Sequence, residues 1–509
     1  MGVFYFANKL LTAYLKKFEL EMQHHADRPE ILQEITLKQI LNNAQHTAFG
    51  QDHQLKKTEG RANRYYQQVP IRTYDELFPY IQRIMAGEDN VLTKEKVRAL
   101  AKTAGTTQVE SKYIPITREC MQDCHQKGSW FTLTSLHMYR EDLQIFSRKN
   151  MLIGGGDYGL FPGTDMQLAD ISALLIQSTP FFLKPFYTPD IYTATLPSYE
   201  EKIKLIAKQV AYEPSLTMLG GVPTWNLALY KEVLAIRGAS NLLEVWPNLQ
   251  AYVHGGVDFD PYRAHFKELI PDENMLYHNI YNASEGYFGV QNELDKDELL
   301  LILNNGIYHE FIPFAEFQQG DRNAIPITEV EKDCLYAMVI TNNSGLYRYI
   351  LGDVVIFTSL RPYKVQIIGR TQEFINAFGE DLLFSNVQKA LLETCGKTGA
   401  SIRDYTIAPY YLKVSEKGRH QWFVEFETKP KDRNVFSTLL DESMQKINSN
   451  YAQKRSNDFA IAPLELISLE KGFFQQWLRD RGKVGGQAKV PKLANHRKFA
   501  EDILRRMRR

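Results

Sequence analysis

A run of small and hydroxylated residues near position 105 is the stretch whose side chains could bind phosphate. It follows the apolar residues 97–101 and leads into a strand-like stretch at residues 112–117. It consists of Thr103, Ala104, Gly105, Thr106 and Thr107. Small residues let a ligand approach the backbone, and successive N–H groups together with threonine hydroxyls can form an anion-binding concavity. Because the P-loop spacing GxxxxGK followed by Ser or Thr is absent, the residues alone leave open whether this is a phosphate loop or a polar turn.

Three further loops follow short stretches that have the character of buried strands. Residues 215–221 end in a Gly-Gly pair, and residues 249–253 lead into the sequence His-Gly-Gly at 254–256. A third strand at residues 276–281 is followed by the small polar loop 282–286. Strands that alternate with helical periodicity predict an α/β body, in which ligands gather at the carboxyl ends of the strands. We therefore expect these three loops to lie beside a ligand.

The glycine-rich residues 154–156 resemble a dinucleotide-binding fingerprint only superficially. The spacing differs, and no strand–turn–helix unit with a downstream acidic residue is evident, so we predict a plain loop. The surrounding region mixes several patterns, and residues 170–177 are expected to form a β-like segment.

Composition and charge argue against two classes of partner. The 509 residues include 60 Lys and Arg and 60 Asp and Glu, so no net charge draws the chain toward nucleic acid or an anionic membrane. No apolar stretch approaches the length needed to span a bilayer, so we expect no stable membrane insertion. The basic residues near the C-terminus are expected to be the solvated end of a helix. The length predicts two or more domains.

The four cysteines do not form a disulfide framework in a chain of this length. Cys120, Cys124 and His125 lie close together, but no second pair of zinc ligands follows at a recognisable spacing. Reduced structural thiols and a cytoplasmic location are therefore expected. The first 23 residues lack a basic segment before their apolar positions, and those positions recur at helical spacing. We expect an amphipathic helix packed on the body of the protein.

The remaining pattern divides the chain into two unequal parts. Residues 345–380 contain short β pieces at 347–350, 354–357 and 364–368, separated by glycine-containing turns. Beyond them a small α+β unit is expected, with a boundary near residues 370–371. The other predicted helices cover two stretches in 9–47, then 200–211, 385–395 and 436–451, and the other predicted strands cover 299–303, 308–313, 335–341, 405–414 and 422–427.

Seven stretches, spread in order over nearly the whole chain, have the character of family motifs. They are TAGTT with SKYIPIT (103–117), HGG (254–256), YNASEG (281–286), EFIP (310–313), YRYILGDVV (347–355), IIGRTQEFINAFGE (367–380) and GGQAKVPKL (485–493). In this order they resemble the Gretchen Hagen (auxin-responsive promoter) acyl-acid amido synthetase family, which lies within the adenylate-forming superfamily of acyl- and aryl-CoA synthetases, luciferase and adenylation domains. The resemblance implies a large N-terminal adenylate-forming domain with mixed β-sheets and helices at residues 1–370. It also implies a small, mobile C-terminal α+β domain at residues 371–509.

The resemblance implies an ATP-dependent ligase that uses Mg²⁺ and acts on a small carboxylic acid and an amino acid. Carboxylates do not react with amines at neutral pH, so the acid first attacks the α-phosphate of ATP to give an acyl-adenylate and pyrophosphate. The amine then attacks the adenylate, forming an amide and releasing AMP. Both steps require charge neutralisation on phosphate and groups held in line.

The resemblance also implies roles for residues of the large domain. Residues 103–107 correspond to the loop that binds the triphosphate, and Lys112 is either an added positive charge or a solvated strand residue. The adenine and magnesium motif corresponds to Tyr281, Asn282, Ala283, Ser284 and Glu285. In this motif Tyr281 is expected near the base, Ser284 near phosphate and Glu285 on Mg²⁺. His254, Gly255 and Gly256 are expected beside the acyl and adenylate pocket, where His254 either orients substrate or is a core histidine.

Three further residues correspond to family positions near the domain boundary and in the small domain. Asp353 is expected to accept from the ribose hydroxyls, although an Asp after Gly also forms turns. Arg370 is expected at the hinge, within reach of ribose or phosphate; on a surface it would be an ion pair of little energetic value. Lys489 is expected to stabilise the charge that develops on the carboxylate and α-phosphate, with Lys483 and Lys492 as competing candidates.

The phosphate loop departs from the family pattern TSGTTGGKSK. Ala104 replaces Ser, Gln108 and Val109 replace a Gly-Gly pair, and Glu110 replaces Lys. A β-branched residue disfavours positive φ, and a carboxylate repels a triphosphate unless it points away. An acyl-CoA ligase of the same superfamily and a catalytically weakened nucleotide-binding protein therefore remain as alternatives to the amido synthetase.

Overall fold

The structure is a computed structural model that describes residues 2–103, 112–256, 259–294, 296–371, 374–380, 382–411, 418–456, 461–480, 490 and 492–508. The α-helices are, in chain order, α1 (Gly2–Asp27), α2 (Pro29–Ala44), α3 (Ala48–Asp52), α4 (Ala62–Gln68), α5 (Tyr74–Met85), α6 (Lys127–Tyr139), α7 (Ile171–Gln177), α8 (Ile191–Ala194), α9 (Tyr199–Val210), α10 (Pro223–Arg237), α11 (Asp260–Leu269), α12 (Phe314–Gln318), α13 (Phe384–Thr398), α14 (Arg433–Ile447), α15 (Ser449–Arg455), α16 (Phe473–Asp480) and α17 (Lys498–Met507). The strands are β1 (Ala99–Lys102), β2 (Tyr113–Ile116), β3 (Lys149–Leu152), β4 (Asp157–Leu160), β5 (Gln167–Ala169), β6 (Tyr187–Thr188), β7 (Leu216–Gly220), β8 (Ala251–His254), β9 (Leu276–Ala283), β10 (Gly286–Gln291), β11 (Leu299–Leu301), β12 (Ile307–Pro313), β13 (Ile325–Pro326), β14 (Leu335–Asn342), β15 (Tyr349–Leu360), β16 (Tyr363–Arg370), β17 (Phe374–Ile375), β18 (Leu382–Leu383), β19 (Ser401–Tyr410), β20 (Arg419–Thr428) and β21 (Glu465–Leu469).

A twelve-stranded mixed sheet forms the centre of the N-terminal part. Its strand order is β13-β12-β14-β15-β16-β11-β10-β9-β8-β7-β3-β6. Strands β9, β8, β7, β3 and β6 are parallel, whereas the pairs from β9 to β13 are antiparallel. Every residue of β7 and β8 is buried, as expected for parallel strands that are covered on both faces. The predicted α/β class with mixed sheets is confirmed.

The N-terminal helix packs on the body, as its periodicity predicts. Phe18 of α1 stacks on Trp130 of α6 with ring centroids 5.9 Å apart. Glu21 forms an ion pair with Lys127 at 2.8 Å. Within the described ranges, no helix combines the length and the apolar character that crossing a bilayer requires.

A second sheet has four strands in the order β2-β1-β5-β4. The segment that follows β5 differs from its prediction. Residues 171–177 form helix α7 and not the expected β-like segment. Asp170 takes the N-cap position, for which Asp is a favourable residue, and Ala173 and Leu174 are buried. A short apolar run fits a strand and a buried helical turn equally well, which explains the error. The predicted loop at residues 154–156 is confirmed.

Two predictions of where elements break also differ from the structure. Residues 349–360 form one continuous strand, whereas the sequence predicted a turn at residues 352–353. Gly352 has a φ of +95°, so the glycine produces an irregularity without ending the strand. Residues 436–451 were expected to form one helix, but α14 and α15 meet at Asn448, whose side chain accepts from the Tyr451 N–H at 2.8 Å.

The C-terminal part has its own sheet, β19-β20-β21, and its own apolar core. Helices α13 and α14 pack against each other, and Trp422 and Phe436 are fully buried in this core. The predicted smaller α+β unit is therefore present. All four cysteines are free thiols, and Cys120 and Cys124 are buried in the N-terminal part.

Candidate functional site

A polar cleft of about 900 Å³ lies between the carboxyl edge of the parallel strands and helix α15 of the C-terminal part. Because β7, β8 and β9 are parallel neighbours, the loops that follow them meet at one edge of the sheet. This confirms that the predicted loops lie together. Helix α15 contributes the polar side chains of Ser449, Asn450, Gln453 and Lys454 to the opposite wall.

The predicted nucleotide motif after β9 lines the cleft. Asn282, Ala283, Ser284 and Glu285 all contribute to its wall, and the last two side chains are mostly buried. The hydroxyl of Tyr349 donates to Glu285 Oε1 at 3.5 Å and accepts from Lys112 Nζ at 3.0 Å. Lys112 also lines the cleft. The motif glutamate and the lysine are thus linked through one tyrosine.

Tyr281 and Asp353 lie behind this wall and do not line the cleft. The Tyr281 hydroxyl donates to Asp353 Oδ2 at 2.6 Å, and both residues are buried. The Tyr281 ring packs against Phe288 with centroids 4.8 Å apart. A short hydrogen bond to a carboxylate fixes the direction of that carboxylate. The structure brings these two predicted residues together as a pair, and their roles toward adenine and ribose stay predictions.

Some predicted site residues lie outside the described residues. Ala104, Gly105, Thr106, Thr107 and Lys489 belong to this group, so their roles stay predictions. Thr103 is described and lines the cleft, and its buried Oγ1 has no hydrogen-bond partner among the described residues. A buried hydroxyl in this state is suited to receive a ligand atom.

The backbone of Arg370 pairs with Asp353 across β15 and β16, which places the predicted hinge arginine at the level of the predicted ribose carboxylate.

Basic side chains enter the cleft from several elements. Lys202 on α9 donates to the carbonyl oxygens of Gly154 and Gly155 at 2.7 and 2.9 Å. Its burial lowers the pKa of its ammonium group to about 8. Lys454 on α15 is 2% exposed and lies over the rings of Trp225 and Tyr199, 4.4 and 5.1 Å from their centroids. Lysine 454 therefore joins the C-terminal part to the wall of the cleft.

A second cavity, of about 380 Å³, opens beside the cleft and is mostly apolar. Its walls include Trp130, Leu133, Leu152, Ile153, Leu175, Ile176, Leu183, Met218, Val253 and Ile280. No lysine, arginine, aspartate or glutamate is among its described lining residues. The two cavities share six lining residues: Ile171, Ser172, Val222, Trp225, Gly256 and Asn282. A ligand with a polar end and an apolar end can therefore extend through both.

The His-Gly-Gly loop after β8 lies at this meeting point. A Cβ atom on Gly255 would lie 2.7 Å from the carbonyl oxygen of Ile280, so a larger residue does not fit there. Gly256 has a φ of +80°, a conformation that favours glycine. His254 lines the apolar cavity and stacks on Phe259 at 4.0 Å. Burial holds the pKa of His254 well below its ordinary value, so its ring is neutral at pH 7.

The motifs EFIP and YRYILGDVV contact each other behind the site. Arg348 donates to Glu310 through Nη2 at 2.8 Å and through Nε at 3.1 Å. Its Nη1 donates to the carbonyl oxygens of Val69 and Tyr66 at 2.9 and 3.2 Å. Neither charged residue lines either cavity, which indicates a structural role for both.

The donor set around Glu285 fits magnesium held together with a phosphate. Mg²⁺ is usually bound by one or two carboxylates and completed by substrate phosphates and water. Glu285 supplies the carboxylate, and Ser284 beside it supplies a hydroxyl. Across the described part of the chain, no group of three or more His, Cys, Asp or Glu side chains could hold a metal ion alone. The residues around Glu285 therefore fit a metal that is held together with a nucleotide.

Several residues of the site carry no sequence signal. Asp170, Tyr199, Trp225 and Lys454 belong to elements far apart in the chain, and none lies in a motif that the sequence singled out. A single sequence does not reveal such tertiary contacts. The apolar cavity was missed for the same reason, because its lining residues look like ordinary core residues.

Three family models match the chain. The GH3 family N-terminal domain matches residues 18–155 and 161–275, the GH3 family central domain matches residues 300–370, and the GH3 family C-terminal domain matches residues 385–498. A jasmonoyl–L-amino acid synthetase of Oryza sativa subsp. japonica is 23% identical over an alignment of 551 positions. The alignment covers 91% of this chain and 92% of that protein.

Two solved structures share the fold. An acyl acid amido synthetase in complex with 2,4-DB has a TM-score of 0.60 at 18% identity and covers 97% of this chain and 96% of its own. A 2-hydroxyisobutyryl-CoA ligase in complex with 2-HIB-AMP and CoA has a TM-score of 0.57 at 14% identity, with 95% and 92% covered. At identities this low, the structural similarity shows a common fold and nothing more.

Proposed function

The chain belongs to the GH3 family, and we propose from this premise that it is an ATP-dependent acyl acid amido synthetase. It adenylates a small carboxylic acid, releasing pyrophosphate, and transfers the acyl group to the amine of an amino acid, releasing AMP. The observation that carries the proposal is the meeting of the polar cleft and the apolar cavity at six shared residues. An acyl-adenylate has this same division into a charged nucleotide and an apolar acyl group.

The polar cleft suits the nucleotide. Thr103 offers a hydroxyl that has no hydrogen-bond partner among the described residues, and Lys112 offers a positive charge. Charge and donors that are fixed before the reaction stabilise a developing negative charge without reorganisation. Glu285 and Ser284 would hold Mg²⁺, which neutralises phosphate charge when bound. Asp353 is oriented by the Tyr281 hydroxyl behind the wall of the cleft, and its role toward the ribose stays a prediction.

The apolar cavity suits the acid. Its lining buries a hydrocarbon or aromatic group, and each buried methylene contributes about 0.8 kcal/mol. The acid's carboxylate would then lie at the junction, near Ser172, Gly256 and Asn282. From there one carboxylate oxygen attacks the α-phosphorus of ATP and pyrophosphate leaves. Holding both reactants in this geometry removes much of the entropic cost of their meeting.

We further propose that residues 1–370 and 371–509 are separate domains and that the smaller one rotates between the two half-reactions. Separate apolar cores support this division. Among the described residues, the contacts between the two parts include the Lys454 cation–π contacts, a Tyr262–Tyr411 ring contact, a hydrogen bond from the Tyr262 hydroxyl to the Ala377 carbonyl oxygen and one from Asn376 to Gly256. The free thiols agree with a cytoplasmic location, which stays a prediction.

Acid-dependent exchange of labelled pyrophosphate into ATP tests the first half-reaction. Purified protein with MgATP and a panel of apolar monocarboxylic acids should support exchange with at least one acid and none without acid. Adding amino acids or coenzyme A to the active mixture then distinguishes an amide from a thioester product. Exchange followed by a thioester alone would identify an acyl-CoA ligase. A complete lack of exchange with a broad acid panel would leave only nucleotide binding.

A further inference from the structure

The acyl carbon that receives the amine lies, on the function proposed above, where the cleft and the apolar cavity meet. Ile171 and Ser172 belong to both cavities, and the preceding residue, Asp170, lines the cleft only. Asp170 is therefore the carboxylate that is one residue away from the junction. An incoming amine must reach the acyl carbon through the polar cleft, because the acid occupies the apolar cavity.

The other described carboxylates of the cleft wall are already engaged elsewhere. Glu285 is joined to Lys112 through Tyr349 on the nucleotide side. Glu200 forms an ion pair with Lys204 at 2.7 Å, one turn further along α9. Of these carboxylates, Asp170 is the one whose neighbours in the chain, Ile171 and Ser172, line the junction.

The surroundings of Asp170 hold its carboxylate toward the cleft. Its Oδ2 accepts from the Gly156 N–H at 2.6 Å and from the Tyr158 hydroxyl at 3.3 Å. A Cβ atom on Gly155 would lie 2.2 Å from the same oxygen, so the glycine loop is shaped around this side chain. The Lys102 ammonium lies over the Tyr158 ring, 4.8 Å from its centroid. One tyrosine therefore contacts both a negative and a positive group within the cleft.

We propose that Asp170 and Lys102 form the subsite for the acceptor amino acid, an inference that rests on the function proposed above. The Asp170 carboxylate takes the α-ammonium group and accepts one of its protons, and Lys102 takes the α-carboxylate. A zwitterion matches this pair of charges, whereas a plain amine would use only half of it.

The transfer step is balanced by these groups. One proton passes from the ammonium to Asp170 and from there to water. The nitrogen lone pair attacks the acyl carbon, a C–N bond forms, and the C–O bond to AMP breaks. The second proton leaves the nitrogen as the tetrahedral intermediate collapses and is carried away on the AMP phosphate.

Burial raises the pKa of Asp170, which brings the carboxyl group nearer to the working pH of a base. The Gly156 N–H, Lys202 on α9, the Tyr158 hydroxyl on β4 and Lys102 on β1 face the carboxyl group and oppose this rise. With an amino acid as acceptor, amide formation should therefore decline on the acid side as Asp170 becomes protonated.

The test replaces Asp170 with asparagine, which can still accept from the Gly156 N–H. The full-length variant and the wild type are compared in three reactions: pyrophosphate exchange, amide formation with amino acids, and hydroxamate formation with hydroxylamine. Hydroxylamine is unprotonated at neutral pH and needs no base. We expect D170N to retain exchange and hydroxamate formation while amide formation falls about 100-fold or more. The acid-side decline in the pH profile should disappear with it.

Two further variants keep the test decisive. Asp157→Asn is a matched control, because Asp157 lies on β4 of the small sheet, accepts from Gln177 Nε2 at 2.7 Å and does not line the cleft. It should leave all three reactions unchanged. Lys102→Met should raise the KM for the amino acid about tenfold or more and leave the hydroxylamine reaction unchanged.

Equal losses of hydroxamate and amide in D170N would overturn the inference and assign Asp170 a structural role. Unchanged amide formation in both D170N and K102M would also overturn it. Absence of exchange in the wild type would overturn the proposed function itself, so the two failures are distinguishable.

Discussion

Glu310→Gln should destabilise the N-terminal part strongly while leaving the chemistry of the cleft intact. Arg348 and Glu310 form a buried ion pair, with side chains 8% and 0% exposed and an Nη2–Oε1 distance of 2.8 Å. Glutamine keeps the shape of glutamate but removes the charge that compensates the buried guanidinium. Although both residues lie in stretches that carry the family resemblance, neither lines a cavity, so we expect the effect on stability and not on catalysis.

The magnitude follows from burial. Removing one partner of a buried ion pair costs about 3–5 kcal/mol, because the other charge is left uncompensated. Arg348 retains the carbonyl oxygens of Val69 and Tyr66, which places the expected loss near the lower end, at about 3 kcal/mol. Since 1.4 kcal/mol is a factor of ten, this is about a 100-fold change in the ratio of folded to unfolded protein. Replacing both partners with apolar residues should recover part of the loss.

Urea unfolding followed by circular dichroism measures this change in stability. Pyrophosphate exchange at low temperature measures whether the folded variant keeps its activity. Asp165→Asn is the control, because Asp165 pairs with Lys96 at the same distance of 2.8 Å but with side chains 70% and 42% exposed. Solvent screens such a pair, so the urea midpoint of D165N should equal that of the wild type. An unchanged midpoint for E310Q, or lost exchange in a variant that is as stable as the wild type, would refute the reasoning.

Three other predictions follow from the contacts described. Tyr281→Phe removes the 2.6 Å hydrogen bond to Asp353. Because a hydrogen bond to a charged group contributes about 1.5–3 kcal/mol, the KM for ATP should rise about tenfold or more. The KM for the acid should stay unchanged. An unaltered ATP KM would contradict the proposed role of the pair. In a series of straight-chain acids, kcat/KM in the exchange assay should rise about fourfold per methylene until the apolar cavity is full, and a flat series would show that the acid binds elsewhere. Burial lowers the pKa of His25 and His309 to about 4 and that of His278 to about 3. The unfolded chain therefore binds more protons than the folded chain below pH 6.5, and the free energy of unfolding should decrease by about 1 kcal/mol per histidine from pH 7.5 to 5.5. Equal urea midpoints at these two pH values would contradict this.

The general place of the site was predictable because its signal is local. Short apolar strands that end in small or polar residues predict a parallel sheet with loops at one edge. The parallel pairing of β7, β8 and β9 confirms this arrangement. Where two structures share one local pattern, the prediction failed. The apolar run 171–177 fitted both a strand and a helical turn, and tertiary packing decided for the helix.

The depth at which each motif residue lies could not be predicted from the order of the motifs. Asn282 and Glu285 reach the cleft, whereas Tyr281, one position earlier, points to the core and bonds Asp353. Tyr281 and Asn282 are successive residues of β9 and face opposite sides of the strand, so one supports the site and the other lines it. Family resemblance assigns a motif to a site, and only the fold distinguishes its contacting residues from those behind them.

The most consequential contact that the sequence did not indicate is the one between Lys454 and Trp225. The ammonium group of the C-terminal part lies 4.4 Å from the centroid of a ring that lines both cavities. A desolvated cation–π contact contributes about 2 kcal/mol, and the indole Nε1 of Trp225 is buried without a hydrogen-bond partner among the described residues. A ligand at the junction would therefore contact the same side chain that contacts Lys454. We expect a ligand that moves the Trp225 ring to alter this contact, which would link occupancy of the apolar cavity to the position of the C-terminal part.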